Sequence, residues 1–210
     1  MKKGIVLLVC FLLTGCFEIT ELVKHNKDNS GNYSLVIDFS PSWLKVRTAI
    51  ALGEVDGVSI PSEEEIKSKL ANFRNKASKI KGVSKISSSY DFKNYIFKMN
   101  FSYNSVETLN KVLNSLDKKS KHIHFKVDQE KFERIAAYAF PTNLIKDEDK
   151  KEDLLKANIT AIYTFDKDVA MAQNANSKVS KTKKTVVLKQ NIWSVLKNAT
   201  LMNNSITFTP

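Results

Sequence analysis

A cationic start, a short apolar run and one cysteine decide what the rest of this chain has to fold with. Lys2 and Lys3 precede an apolar stretch from Ile5 to Leu13, interrupted by Cys10, and Leu13-Thr14-Gly15-Cys16 closes it. A membrane-spanning helix needs about 20 apolar residues, and this stretch has roughly half that before Glu18 and Glu21 end it. Charged start, apolar middle and small residues at the end make the pattern of a secretory signal.

Thr14 and Gly15 ahead of a cysteine make this signal resemble a bacterial lipobox. The resemblance implies that residues 1–15 are a lipoprotein signal peptide, cut after Gly15, and that Cys16 becomes the new N-terminus. Cys16 would carry a thioether-linked diacylglycerol and an amide-linked acyl chain of the palmitate kind. Several acyl chains anchor a protein stably where one binds marginally. Cleavage also removes Lys2, Lys3 and Cys10, lowering the formal net charge from +11 to +9. With Cys10 gone and Cys16 alkylated, no thiol is left for a disulfide, the usual support of small secreted domains. The remainder must be held by a hydrophobic core, and its length is sufficient for one or two domains. In such lipoproteins an Asp after the cysteine retains the protein in the inner membrane. Phe17 stands there instead, which implies the cell outer membrane, and no acidic export tag follows, which implies its periplasmic face.

No Ser/Gly-rich tether follows Cys16. Phe17 to His25 alternates as a strand does, so the folded domain is expected to start at the membrane anchor itself. Asn26-Lys27-Asp28-Asn29-Ser30-Gly31 reads as a turn, with Gly and Asn/Asp able to take positive φ. Tyr33, Leu35, Ile37 and Phe39 then share one face of a second strand. Trp43 to Leu52 can form a short helix with Trp43, Val46 and Ile50 inward. Ser62 and Glu65 have the spacing of a capping box, with Glu63 and Glu64 in the favourable first turn. Ile66, Leu70, Phe73, Ala77 and Ile80 share a helical face, and Gly82 is a stop. Ile86, Ser88 and Tyr90 line a strand, Asp91 to Asn94 turns, and Tyr95, Phe97, Met99 and Phe101 line the next. Val106, Leu109, Leu113 and Leu116 predict a helix, and Ile123, Phe125 and Val127 a strand.

The order from Tyr33 to Val127 is β-α-β-β-α-β, preceded by one extra strand. The expected fold class is therefore α+β: a ferredoxin-like antiparallel sheet over residues 16–128 with helices on one face. Residues 129–210 read as a C-terminal extension packed on the same body. Phe132 to Phe140 fits either helix or strand, and Lys146 to Asn158 reads as a charged helix. Strands are expected from Ile159 to Asp166, Thr185 to Lys189 and Ile206 to Thr209, with a short helix over Asn191 to Lys197.

The hairpin Lys27-Asp28-Asn29-Ser30-Gly31-Asn32-Tyr33 resembles the Asp-Gly-Ser-Gly-x-Tyr opening of LppM-type bacterial lipoprotein domains, with Asn29 in place of the first Gly. Ser84-Lys85-Ile86, Asp91-Phe92 and Tyr95-Ile96-Phe97 are similar to a later block of those domains. Tyr163 to Val169 and Lys184 to Leu188 are similar to the ends of related lipoproteins. The resemblance spans most of the mature chain but rests on turn and core residues. It implies a membrane-anchored α+β domain, lipid-associated, with no enzyme activity to transfer.

Reactive motifs are missing: no G-x-S-x-G, P-loop, dinucleotide-binding glycines or H-E-x-x-H occurs. His122 and His124, two apart on an expected strand, are too few for a metal site. Asp147-Glu148-Asp149 with Glu152-Asp153 lacks calcium-loop spacing. A non-enzymatic protein with no cofactor and no metal is expected. Tyr95, Phe97, Met99 and Phe101 are either core or the lining of a lipid cavity. Trp43 and Trp193 are candidates for interfacial anchors or ordinary half-buried aromatics.

The excess of 33 Lys and Arg over 22 Asp and Glu is the remaining functional signal. No nucleic-acid-binding motif accompanies it, so nucleic acid is not an expected partner. Lys24, Lys27, Lys118, Lys119 and Lys121 are candidates for contact with a membrane or an anionic ligand, and Lys178, Lys181, Lys183 and Lys184 form a second dense group. The chain is read as a binding lipoprotein that contacts the membrane through its N-terminal lipid and takes a lipid or another envelope component. The alternative is an accessory or scaffolding subunit of an envelope protein complex.

Overall fold

A computed structural model of the chain describes residues 17–55, 58–116, 121–136 and 151–209. The signal segment, Gly15, Cys16, Lys118, Lys119 and the acidic run Asp147 to Asp149 lie outside the described residues.

The alternation after Phe17 produces β1 (Glu18–His25), which pairs antiparallel with β2 (Gly31–Asp38) from Glu18↔Asp38 to His25↔Gly31. The turn between them is closed by Asp28, whose carboxylate accepts from the Ser30 amide (3.0 Å) and hydroxyl (2.6 Å). Asn29 takes the left-handed conformation, φ 65°. Gly31 does not. Its small size is needed because a Cβ there would lie 2.1 Å from the Lys24 carbonyl oxygen and 2.3 Å from the Tyr103 hydroxyl.

A 3-10 turn at Ser40–Ser42 leads to α1 (Trp43–Leu52), and a two-strand ribbon, β3 (Glu54–Val55) and β4 (Val58–Ser59), follows. α2 (Glu63–Ala77) has its capping box: the Ser62 hydroxyl accepts from the Glu65 amide and the Glu65 carboxylate accepts from the Ser62 amide. Ile66, Leu70, Phe73 and Ala77 are buried along its inner face. β5 (Val83–Asp91) and β6 (Ile96–Tyr103) form a hairpin whose turn is closed by Asp91, accepting from the Lys93 and Asn94 amides. α3 (Val106–Leu116) buries Leu109 and Val112 and packs beside α2.

Strands β2, β6 and β5 stand in the order expected of a ferredoxin-like sheet. The fourth expected strand does not join them. Its place beside β2 is taken by β1, through a local hairpin of eight residue pairs. β7 (Phe125–Val127), only three residues long, pairs instead with β8 (Lys131–Arg134), and residues 121–124 are not in a strand. The ferredoxin-like topology is thus replaced by a broader sheet. β9 (Asn158–Phe165) runs parallel to β1, in register from Glu18↔Asn158 to His25↔Phe165. β12 (Thr185–Asn191) and β11 (Ser177–Val179) extend it. Among the described residues this gives a seven-stranded sheet in the order β11-β12-β9-β1-β2-β6-β5. The one parallel pair makes it a mixed sheet.

A second sheet of four strands has the order β10-β13-β8-β7, with β10 (Val169–Ala172) and β13 (Asn204–Phe208). It packs its apolar face on β1 and β9. Phe132 lies 5.6 Å from Tyr163, 5.1 Å from Phe165 and 5.4 Å from His25, ring centre to ring centre. α4 (Lys151–Lys156) and α5 (Ile192–Lys197) close the far end of the large sheet. The aromatic stripe of β6 is core: Phe97 and Phe101 are buried and meet Phe39 and Phe73. Trp193 is also core, at 5% exposure, whereas Trp43 is 44% exposed and does not point inward as its helical position suggested.

Between the sheets lies a charged pair. Arg134, on β8, donates from Nε and Nη2 to the Glu21 carboxylate of β1 at 3.1–3.3 Å, and both side chains are about 5% exposed or less. Nη1 donates to the Ile135 carbonyl at 2.6 Å, and the guanidinium lies 4.8 Å from the centre of the Phe125 ring. The carboxylate, carbonyl and π-face together replace much of the water that this cation gives up.

Candidate functional site: the open face of the large sheet

Because side chains alternate across a strand, the register fixes what the uncovered face carries. The core side of β1 shows Glu21, Val23 and His25; the other side shows Thr20, Leu22 and Lys24. Across the strands three rows follow. Thr185, Thr164, Lys24, Asn32, Ser102 and Ser84 form one. Val187, Ile162, Leu22, Ser34, Asn100 and Ser87 form the next. The third is Lys189, Thr160, Thr20, Val36, Lys98 and Ser89.

This face has a half-buried apolar centre of Leu22, Ile162, Val187 and Val36, surrounded by hydroxyls, amides and ammonium groups. The short polar side chains bond one another: Ser102 donates to Asn32 at 2.7 Å and Asn100 to Ser87 at 3.2 Å. Lys24, Lys85, Lys98, Lys178 and Lys189 are all exposed here. Lys189 reaches Glu18 at 3.4 Å. Lys24 and Lys85 flank a concavity of 220 Å³ that Leu22, Asn32, Asn100 and Ser102 also line. The bulge between Ser84 and Ser87 places Lys85, at φ 49°, over the rim of this hollow. Two ammonium groups, two amides and hydroxyls around an apolar floor suit an amphipathic anion better than a metal or a nucleophilic reaction.

Of the lysines singled out in the sequence, Lys24 and Lys178 belong to this face. Lys27 lies on the β1–β2 turn beside a smaller hollow lined by His25, Lys167 and Phe208, and Lys121 lies near the end of α3. They do not converge with Lys24 on one surface. Lys184 is held in an ion pair with Asp168 and donates to the Asp166 carbonyl. Lys85, Lys98 and Lys189 were missed, although Lys98 and Lys189 alternate with core residues of β6 and β12, a period-two signal open to the eye.

His122 and His124 do not share one side of a strand. His122 is exposed; His124 is buried, with Nε2 3.1 Å from Asn114 Oδ1. Burial, with Arg134 and His122 nearby, pushes the His124 pKa down to about 4. His25, whose Nδ1 lies 3.3 Å from the Tyr103 hydroxyl, is likewise lowered by burial. No cluster of three or more His, Cys, Asp or Glu side chains poised for a metal occurs among the described residues. No helix among them is long and apolar enough to cross a membrane.

No protein-family profile matches the chain, and no curated protein sequence matches it either. Among solved structures, the NMR structure of the folded domain of the Mycobacterium tuberculosis LppM protein is similar at a TM-score of 0.46 and 9% sequence identity, covering 93% of this chain and 90% of that one. This is a remote structural resemblance.

Proposed function

We propose that this chain is a lipid-anchored, non-enzymatic domain of the cell envelope that binds an anionic, amphipathic envelope component on the open face of its large sheet. The observation that carries the reading is the set of exposed lysines around a half-buried apolar centre, next to a hollow bounded by Lys24 and Lys85. An acidic headgroup would meet the ammonium groups while its apolar portion covers Leu22 and Ile162. The lipobox-like Leu13-Thr14-Gly15-Cys16 supports an anchor at Cys16, and Phe17 in place of an Asp supports delivery to the outer membrane.

A lysine near an anionic surface contributes about 1 kcal/mol, or roughly fivefold in affinity, reduced by salt. Acyl-free protein is therefore expected to bind phosphatidylglycerol vesicles and not phosphatidylcholine vesicles, more weakly as salt rises. Charge reversal at Lys24 and Lys98 together should weaken that binding at least tenfold, by about 1 kcal/mol or more per site. Equal binding to both lipids, or no change on charge reversal, would contradict the proposal.

A second reading is supported by the sheet's edges. β5 and β11 end the strand order, and β5, with Ser84, Ser87, Ser88 and Ser89, offers backbone donors and acceptors on its outer side to a partner strand. A stoichiometric protein co-purifying from detergent, and lost when Ser88 is replaced by Pro, would favour an accessory subunit.

A further inference from the structure

We infer that the exposed side of α1 seats in the headgroup layer of the bilayer and so fixes how the domain stands on its membrane. The inference rests on the lipid-anchor reading of Cys16. It starts from where the fold begins. Phe17 is buried; its carbonyl accepts from the Asn158 amide at 3.0 Å, and its ring lies 5.3 Å from that of Phe39. The lipidated residue is one Cα–Cα step, about 3.8 Å, from this fixed point. The bilayer surface is therefore held at the end of the sheet marked by Glu18, Asp38 and Asn158, which stand in one cross-strand row.

Phe39 leads through one 3-10 turn into α1 at that same end. The helix buries Val46 and Ala49 and turns Trp43, Leu44 and Leu52 to solvent, at 44%, 60% and 68% exposure. Lys45 and Arg47 stand exposed among them. Lys45 pairs with Asp153 at 3.7 Å, which sets α4 beside α1. Single exposed apolar residues need no explanation, but three on one ten-residue helix give it an apolar outer side. Trp at a headgroup boundary, with Leu beneath and Lys and Arg toward anionic phosphates, is the composition of an interfacial helix. α1 is about 15 Å long and too short to hold a protein on a membrane unaided. The acyl chains supply the retention and α1 supplies the orientation.

The strands then rise away from the bilayer. Lys24 lies six residues beyond Glu18, about 20 Å along β1. That exceeds the ~8 Å screening length of physiological salt, so the hollow between Lys24 and Lys85 meets envelope components beyond the headgroups of its own leaflet. Lys98 and Lys189, in the row two residues from Glu18, stay close to those headgroups.

The test uses the membrane-extracted, lipidated protein in vesicles of phosphatidylethanolamine and phosphatidylglycerol, with and without bromine on the acyl chains. The chain has two tryptophans, and Trp193 is buried in the core. Trp43 emission is expected to shift to the blue and be lost in the brominated vesicles, and that loss should vanish in Trp43→Phe. A protein that floats with the vesicles while its quenching matches that of Trp43→Phe would overturn the inference and leave the anchor standing. Its α1 face would then be covered by another part of the chain, a second copy or a partner. A protein that does not float would overturn the anchor reading and this inference with it.

Discussion

His124 shows how one buried side chain makes a whole domain sensitive to acid. In the folded protein its ring is enclosed, bonded to Asn114 and near Arg134, and it stays neutral down to about pH 4; unfolded, it takes up a proton near pH 6.5. Between those values the unfolded chain binds more protons, so stability falls as pH drops from about 6.5 to about 4 and is level above that window. His25 acts in the same direction. Replacing His124 with Gln should flatten the fall of melting temperature across that window, and an unchanged profile would show that His124 does not carry it. None of this was legible in the sequence, where His122 and His124 looked like equivalent neighbours on a strand. Their difference comes from Asn110 and Asn114, whose side chains hold the 122–125 backbone against α3 and turn one ring in and the other out. Gly31 was misread in a similar way. Its position in a turn suggested positive φ, but the requirement is the close approach of Lys24 and Tyr103.

At the scale of elements, local signals carried furthest. The strand beginning after Phe17, the Asp28 and Asp91 turns, and the Ser62–Glu65 capping box depend on neighbours within a few residues and stand as the alternation and spacing indicated. Pairing between distant elements was not legible. β9 could be recognised as a strand, but nothing in its own pattern says that it runs parallel to β1 in full register. Arg134 is the extreme case, a lone arginine whose carboxylate partner is 113 residues away. It pins the second sheet to the first, and burial makes the pair asymmetric: losing one member strands the other charge in the core. Glu21→Ala and Arg134→Ala are each expected to cost about 3–5 kcal/mol in urea unfolding, while Glu21→Leu with Arg134→Met recovers most of the loss. Single costs below about 1 kcal/mol would mean that the pair is solvated.

For the whole molecule, the N-terminal motif and the sheet tell one connected story. The described residues build two large sheets around an aromatic core, with Phe125, Phe132, Tyr163 and Phe165 at its centre. The open face was only partly legible, because its lysines are scattered through the sequence on β1, β5, β6, β11 and β12 and meet only once the sheet is ordered. Lys24 was found because it follows Cys16 closely in sequence; Lys85, Lys98 and Lys189 required the register. All of this has meaning in the envelope only if the fold is joined to the membrane at its first residue. Intact-mass analysis of the protein extracted from its own cell membranes tests that directly. The predicted result is a chain that begins at Cys16 and carries the added mass of a diacylglycerol and one further acyl chain. A chain that retains residues 1–15, or begins elsewhere, or carries an unmodified Cys16, would contradict the account.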